Sequence, residues 1–133
     1  MELLLHPSEY SICKLASADG IPRVHAPVFI AMTRDEISFV CRRRDLPEHL
    51  LQVSHGWRLL QIGGTLDFSM TGVISNISGA LAEAGISIFV ISTYNTDYFM
   101  VGEENVEMAI LRLEGNRYHV RLVQEAEYEK GQY

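Results

Sequence analysis

The sequence has few cysteines, and it lacks a long apolar run. Its two cysteines, Cys13 and Cys41, are too few for a disulfide scaffold and show no metal-ligand spacing. The longest charge-free stretch, residues 68–82, is interrupted by two glycines and several polar residues. A membrane-spanning helix needs about 20 mostly apolar residues, and the N-terminal residues do not follow the pattern of a signal peptide. We therefore expect two reduced, buried cysteines in a cytoplasmic protein with no membrane partner.

Positive charge is scarce, above all in the second part of the chain. The 133 residues include 11 Lys+Arg and 17 Asp+Glu, which gives a formal net charge of −6. Residues 1–56 hold six basic and seven acidic residues, whereas residues 57–133 hold five and ten. Because neutralised phosphates supply most of the affinity of a nucleic-acid binder, we expect no nucleic-acid partner. The hydrophobic fraction of 47% is typical of a globular domain or of two small ones that share a core.

Catalytic and cofactor motifs are missing from the sequence. It contains no G-x-S-x-G, P-loop, G-x-G-x-x-G or H-E-x-x-H pattern. The five histidines never form a ligand pair on one helix face. The basic run Arg42–Arg44 is followed by Asp45 and Glu48, which favours a solvated strand end over an anion site. We therefore expect no enzyme activity, no metal site and no cofactor.

Residues 57–133 predict the order β-α-β-β-α-β, which is the ferredoxin-like arrangement. Apolar residues three and four positions apart predict helices that start at Val73 and near Glu103 and end near Gly85 and Gly115. The β-branched run Ile86–Ser92 predicts a central strand. The remaining predicted strands are Trp57–Leu66, Tyr98–Val101 and Tyr118–Val123.

The first part of the chain repeats this pattern in a degenerate form. A shift of 60 positions places Phe29–Leu51 on Phe89–Leu111 without a gap, which predicts strand, turn, strand and a helix that includes Leu46–Leu51. Tyr10–Leu15 predicts a first strand, but the turn-like residues 18–27 leave no room for the first helix. The sequence thus predicts an α+β protein of two packed ferredoxin-like units, residues 1–56 and 57–133.

The predicted strand count leaves one question open. Two complete units need eight strands, and the sequence predicts only seven. Either one strand is shared between the units, or the C-terminal strand crosses to the other sheet.

Two segments of the second unit predict a binding site. The turn Phe68–Gly72 leads into a helix, whose free N–H groups and dipole suit a carboxylate, with Ser69 or Thr71 as a capping residue. The polar hairpin Thr93–Asp97 follows the next strand, and its Asp97 suits an ammonium group. Gly72 permits close approach because it lacks a Cβ atom. The alternative is an ordinary helix cap and an ordinary polar hairpin.

The residues of these segments resemble an ACT domain, a small ligand-binding regulatory module. The resemblance lies in Leu66–Ile74, Leu81–Phe89 and Ile91–Val101, and it is close over about residues 57–123. The chain is similar to small bacterial proteins made of two ACT-like units. It is also similar to the eukaryotic cytosolic arginine sensors, which carry the same hairpin pattern of Ser, Thr, an aromatic residue and Asp.

The resemblance implies a ligand bound where two ACT units meet, although the degenerate first unit leaves open which surface completes the pocket. The implied ligand-binding residues are Met70, Thr71, Gly72 and Val73 at the helix start and Thr93, Tyr94, Thr96 and Asp97 in the hairpin. The arginine sensors have an acidic residue at the position of Met70. This difference favours a neutral or smaller amino acid over arginine.

We therefore expect a cytoplasmic regulatory protein that binds an amino acid or a similar small molecule. The alternative is a protein–protein interaction module without a small ligand, since ACT-like sheets pair side by side. Unpaired edge strands are usually covered, so we also expect a homodimer.

Overall fold

The computed structural model describes residues 1–64 and 72–130, with side chains up to residue 127. These residues contain seven strands and three helices. The strands are β1 (Glu2–Leu15), β2 (Phe29–Met32), β3 (Ile37–Arg42), β4 (Leu50–Ile62), β5 (Phe89–Ser92), β6 (Asp97–Gly102) and β7 (His119–Leu122). The helices are α1 (Val73–Glu83), α2 (Val106–Gly115) and α3 (Glu125–Lys130). Residue contacts divide the chain into an N-terminal unit, Ser8–Trp57, and a C-terminal unit, Met1–Pro7 with Arg58–Tyr133.

The C-terminal unit has the predicted βαββαβ order, formed by β4, α1, β5, β6, α2 and β7. Its strands lie in the order β7–β1–β4–β6–β5, with β7 parallel to β1 and β5 antiparallel to β6. The two longer helices pack on the sheet because each has an apolar stripe. The buried residues of this core include Leu3, Leu60, Ile77, Leu81, Phe99, Ala109 and Leu113.

The prediction that Ile86–Ser92 is a central strand is wrong. Only Phe89–Ser92 forms a strand, and β5 lies at the edge of the sheet. Ile86 is buried in the core and Ile88 packs against it, both from the segment that precedes the strand. The apolar run therefore reflects packing before the strand as well as within it.

The N-terminal unit is a sheet without an α-helix. Strand β3 is antiparallel to both β2 and β1, and the core on one face contains Cys13, Leu15, Phe39 and Cys41. The predicted helix over Leu46–Leu51 is wrong, because a 3-10 turn at Arg43–Asp45 is followed by extended backbone and β4 begins at Leu50. Pro47 explains the difference, since proline has no N–H to continue a helix and disfavours helical backbone at the residue before it.

Strands β1 and β4 resolve the strand count. Residues 2–7 of β1 belong to the C-terminal unit and residues 8–15 to the N-terminal unit, and β4 is divided in the same way after Trp57. Sharing of strands is therefore the correct alternative, and it applies to two strands. Strand β7 stays in the C-terminal unit. The division into domains of residues 1–56 and 57–133 remains a prediction, and contacts group Met1–Pro7 with the C-terminal residues.

The predicted 60-residue repeat is confirmed for the two hairpins and wrong for the helix that should follow the first. Hairpin β2–β3 and hairpin β5–β6 have bounds that differ by 60 positions at every strand end. Their registers differ by the same amount, since Phe29 pairs with Val40 and Phe89 with Met100.

Candidate functional site

The helix-start half of the site begins at Gly72, because Met70 and Thr71 lie outside the described residues, as does the proposed cap Ser69. Gly72 is the N-cap of α1, has a φ of +85° and makes no side-chain cap hydrogen bond. This φ lies in the left-handed region, which favours glycine. The Gly72 carbonyl accepts a hydrogen bond of 2.8 Å from the Asn76 N–H, and Val73 is the first helical residue. Among the described residues, backbone conformation rather than crowding accounts for the glycine, because a Cβ atom there would meet nothing within 4 Å.

The hairpin half of the site is held by two threonines. The N–H and the hydroxyl of Thr93 both donate to the Thr96 carbonyl, at 2.9 Å each. The buried Thr96 hydroxyl donates to the carbonyl of Ile62, also at 2.9 Å. Both threonine hydroxyls therefore serve the hairpin itself, and Thr96 fixes it to the end of β4.

Tyr94 and Asp97 are the two remaining hairpin residues of the predicted site. Tyr94 is 83% exposed. Asp97 is half-buried at the start of β6, where it pairs in register with Ser92. Within residues 1–64 and 72–127, no hydrogen bond or ion pair engages the Asp97 carboxylate. As far as the described residues are concerned, this carboxylate is therefore available to a cationic group.

The structure places both halves of the predicted site in the C-terminal unit. Thr96 binds the last residue of β4, and the segment that follows β4 leads to Gly72. The hairpin contacts the chain where the β4–α1 connection begins, and the helix start lies where that connection ends. Six of the eight predicted site residues lie in the described part of the chain.

A cavity of about 620 Å³ lies beside α1 and was not predicted. One wall is a row of small residues on the helix, Ser75, Ser78, Gly79 and Ala82, and the other is the segment that leads to β5. The sequence could have indicated the helical wall, because its small residues recur at helical spacing on the side of α1 opposite the apolar stripe.

Buried ionisable groups in the described residues have structural partners. His6 is fully buried, and its Nε2 lies 3.0 Å from Gln61 Oε1. Burial lowers the pKa of His6 to about 4. Arg58 donates to the His6 carbonyl at 3.0 Å and lies 3.5 Å from Glu103 Oε1. These contacts stabilise the C-terminal unit.

The two cysteines are free and buried, as the sequence predicts. Burial raises the pKa of the Cys41 thiol to about 12 and also raises that of Cys13. In the described residues, no group of three or more His, Cys, Asp or Glu side chains is placed to hold a metal ion. A search of the same residues finds no helix of the length and apolarity required to span a membrane.

Comparison with known proteins identifies the family. Residues 52–114 match the ACT domain family. The cytosolic arginine sensor for mTORC1 subunit 1 from Mus musculus is 33% identical over 109 residues, which cover 76% of this chain and 33% of that protein. The chain thus spans about a third of the length of the curated relatives it matches.

Solved structures share the fold of this chain. A crystal structure of a protein from Agrobacterium tumefaciens has a TM-score of 0.82 and 28% identity, and the match covers 93% of this chain and 94% of that one. The ligand-free regulatory subunit of aspartate kinase from Thermus thermophilus has a TM-score of 0.59 and 12% identity, with coverage of 85% and 95%. The second likeness concerns the fold alone, and it confirms the expected α+β, ferredoxin-like class. The chain therefore contains an ACT domain, which the family match places at residues 52–114.

Proposed function

We propose that the protein is a cytoplasmic regulatory sensor, without enzyme activity, that binds an amino acid or a similar small molecule. The available carboxylate of Asp97, in a hairpin fixed beside the connection to α1, is the observation that carries this proposal. The relatives that are named cytosolic arginine sensors support the same class of ligand.

The two halves of the site suit the two charges of an amino acid. In the part of the chain that the structure describes, no side chain caps the start of α1, so its N–H groups and the positive end of its dipole are suited to a carboxylate. Asp97 then pairs with the ammonium group. Met70, Thr71, Gly72 and Val73 form the carboxylate side of the proposed site, and Thr93, Tyr94, Thr96 and Asp97 form the ammonium side. That the ligand lies at an interface of ACT units remains a prediction.

The uncharged Met70 favours a neutral amino acid. An arginine ligand needs an acidic partner for its guanidinium group, and no acidic residue occupies this position. We therefore expect a neutral amino acid to bind more tightly than arginine.

A thermal-shift screen of the twenty amino acids tests the proposal. A ligand at about 100 times its dissociation constant stabilises the folded state by about 2.7 kcal/mol. For the best ligand, calorimetric titration of Asp97→Asn should give a dissociation constant raised tens- to thousands-fold, because the ammonium loses its charged partner. Gly72 is a poor probe, since any side chain there strains the left-handed backbone.

The matched control is Asp35→Asn, which alters an exposed aspartate in the other hairpin. We expect it to leave the affinity unchanged. Equal affinities of wild type and Asp97→Asn would contradict the proposed site, and the absence of any stabilising amino acid would contradict the proposed function.

A protein–protein interaction module is the second candidate, and the exposed edge strands favour it. Strand β2 is at the edge of the N-terminal unit and exposes Ile30 and Met32, while β5 exposes Val90. Native proteins usually cover such edges.

Light scattering tests the homodimer that these edges predict. We expect a mass of twice 15.0 kDa at high micromolar concentration, and a lower dimer fraction for Val90→Lys, because a charged edge resists pairing. The exposed loop variant Asp19→Lys is the control. A mass of 15.0 kDa for the wild type would contradict the prediction.

A further inference from the structure

A groove of about 640 Å³ crosses one face of the sheet in the N-terminal unit. Strands β1, β3 and β4 and the turn before β3 supply its lining. The polar residues in the lining are Lys14, Glu36, Ser38, Gln52 and Ser54. All of them belong to the N-terminal unit, so the groove is separate from the Asp97 site.

The strand register explains why these side chains converge. Lys14 pairs with Ser38, and directly paired residues of antiparallel strands point to the same face. Gln52 and Ser54 are two positions apart on β4, so they also share a face. Cys13 and Phe39 pair on the opposite face, where they form the core. Lys14 and Ser38 therefore lie on the face of the sheet opposite this core, and Ile12, Cys13 and Val53 complete the lining of the groove.

Opposite charges line this groove without pairing. The Ser38 hydroxyl donates a hydrogen bond to Glu36 Oε1, which holds the carboxylate beside β3. Within the described residues, neither the Lys14 ammonium nor the Glu36 carboxylate takes part in an ion pair. One small molecule that carries both charges would satisfy the two groups together.

The equivalent position in the other hairpin has a different role. Thr96 lies 60 positions after Glu36, and its buried hydroxyl is bound to the Ile62 carbonyl. Glu36 is exposed and makes no such anchoring contact through its carboxylate. The charge in the N-terminal hairpin is therefore not required by the hairpin itself.

We propose that this groove binds a small zwitterionic amino carboxylate. Glu36 holds its ammonium group, Lys14 holds its carboxylate, and Gln52 and Ser54 supply hydrogen bonds along its length. Because the two protein charges form no ion pair within the described residues, a ligand with separated charges is expected to bridge them better than one with both charges on one carbon.

Nuclear magnetic resonance titration of the ¹⁵N-labelled full chain tests the proposal. The probes are glycine, β-alanine and 4-aminobutanoate, and the single-charge controls are butanoate and butylamine. We expect at least one zwitterion to shift the amide signals of residues 12–14, 36–38 and 52–54, with the longer probes binding more tightly than glycine. Lys14→Gln and Glu36→Gln should each weaken binding by up to about fivefold, as expected for partly exposed charge pairs.

Asp97→Asn is the control that separates this groove from the other site, and it should leave these shifts and affinities unchanged. Three results would each overturn the proposal: no shift at the groove up to the solubility limit of every zwitterion, equal binding of the single-charge controls, or unchanged affinity in both groove variants. None of these results bears on the Asp97 site, whose titration is scored on the signals of α1 and the C-terminal hairpin.

Discussion

The two hairpins of this protein are nearly identical, yet the chain continues differently after each. Hairpin β2–β3 and hairpin β5–β6 share strand lengths and register, and each turn is closed by a threonine N–H, that of Thr33 or of Thr93, which donates to the carbonyl three residues on at 2.9 Å. Each hairpin is followed by a 3-10 turn, at Arg43–Asp45 and at Glu103–Asn105. A helix follows only the second.

The paths of the chain after the two 3-10 turns diverge at the next residue, where the backbone angle ψ differs. Leu46 and Val106 occupy equivalent positions and have the same φ of −59°, but ψ is 138° at Leu46 and −47° at Val106. Pro47 follows Leu46, whereas Glu107 follows Val106. Because proline disfavours helical ψ at the preceding residue, one residue type accounts for the different path. The same hairpin geometry therefore occurs with and without a helix after it.

Glu107→Pro is the strongest test of this comparison, because it gives the second hairpin the proline of the first. Glu107 is exposed, so its side chain adds little to the core, but a proline there disfavours the helical conformation of Val106, the first residue of α2. We expect a loss of about 1–3 kcal/mol in the free energy of unfolding, measured by urea denaturation, because Val106 must either leave the helix or hold a strained backbone, and a reduced helical circular dichroism signal. Glu107→Ala should change little. An unchanged midpoint for the proline variant would contradict this explanation.

Acid should act on the C-terminal unit through His6, which has no buried counterpart among the histidines of the N-terminal unit. Burial lowers the pKa of His6 in the folded state to about 4 from a value near 6.5 in the unfolded chain, and the opposing effects of Gln61 and Glu127 are smaller. The folded state then binds fewer protons. Stability is therefore fully present above pH 6.5 and declines by up to about 3 kcal/mol as the pH falls toward 4.

Unfolding measured across this pH range compares the wild type with His6→Asn. The variant should lose part of the decline, while the exposed His25→Asn serves as the control and should retain it. Parallel curves for wild type and His6→Asn would show that His6 does not contribute.

Thr96→Val should reveal the difference between the two turns. The valine removes the hydrogen bond to the Ile62 carbonyl and leaves a buried acceptor unsatisfied, which costs about 1–3 kcal/mol in thermal or urea unfolding. Glu36→Ala, at the equivalent exposed position, should stay within about 0.5 kcal/mol of the wild type. Equal losses in the two variants would mean that the turns are anchored in the same way.

Much of the fold was predictable because local patterns determine it. Helix α1, helix α2 and both hairpins follow from apolar spacing and from the 60-residue repeat. The helix predicted over Leu46–Leu51 failed because the repeat was given more weight than Pro47. Strand β1 was underestimated because Pro7 interrupts it, and Pro7 lies between the stretch that pairs with β7, up to Leu5, and the stretch that pairs with β3, from Tyr10.

The candidate site was less predictable, since it depends on contacts between distant residues. The sequence offered Thr96 as a ligand-binding residue, but its hydroxyl is engaged by a carbonyl 34 positions earlier. No local pattern reports such a partner. Asp97 was predictable as an available charge because it follows a polar turn and begins a strand.

The parallel pairing of β1 with β7 has a consequence for the synthesis of the chain. Glu2–Leu5 pairs with His119–Leu122, which is made more than 100 residues later. The C-terminal unit therefore becomes complete only after residue 122 has emerged, while the N-terminal unit has all of its own residues once Trp57 has been made. A fragment that starts at residue 57 would lack an inner strand together with the buried Leu3 and Leu5.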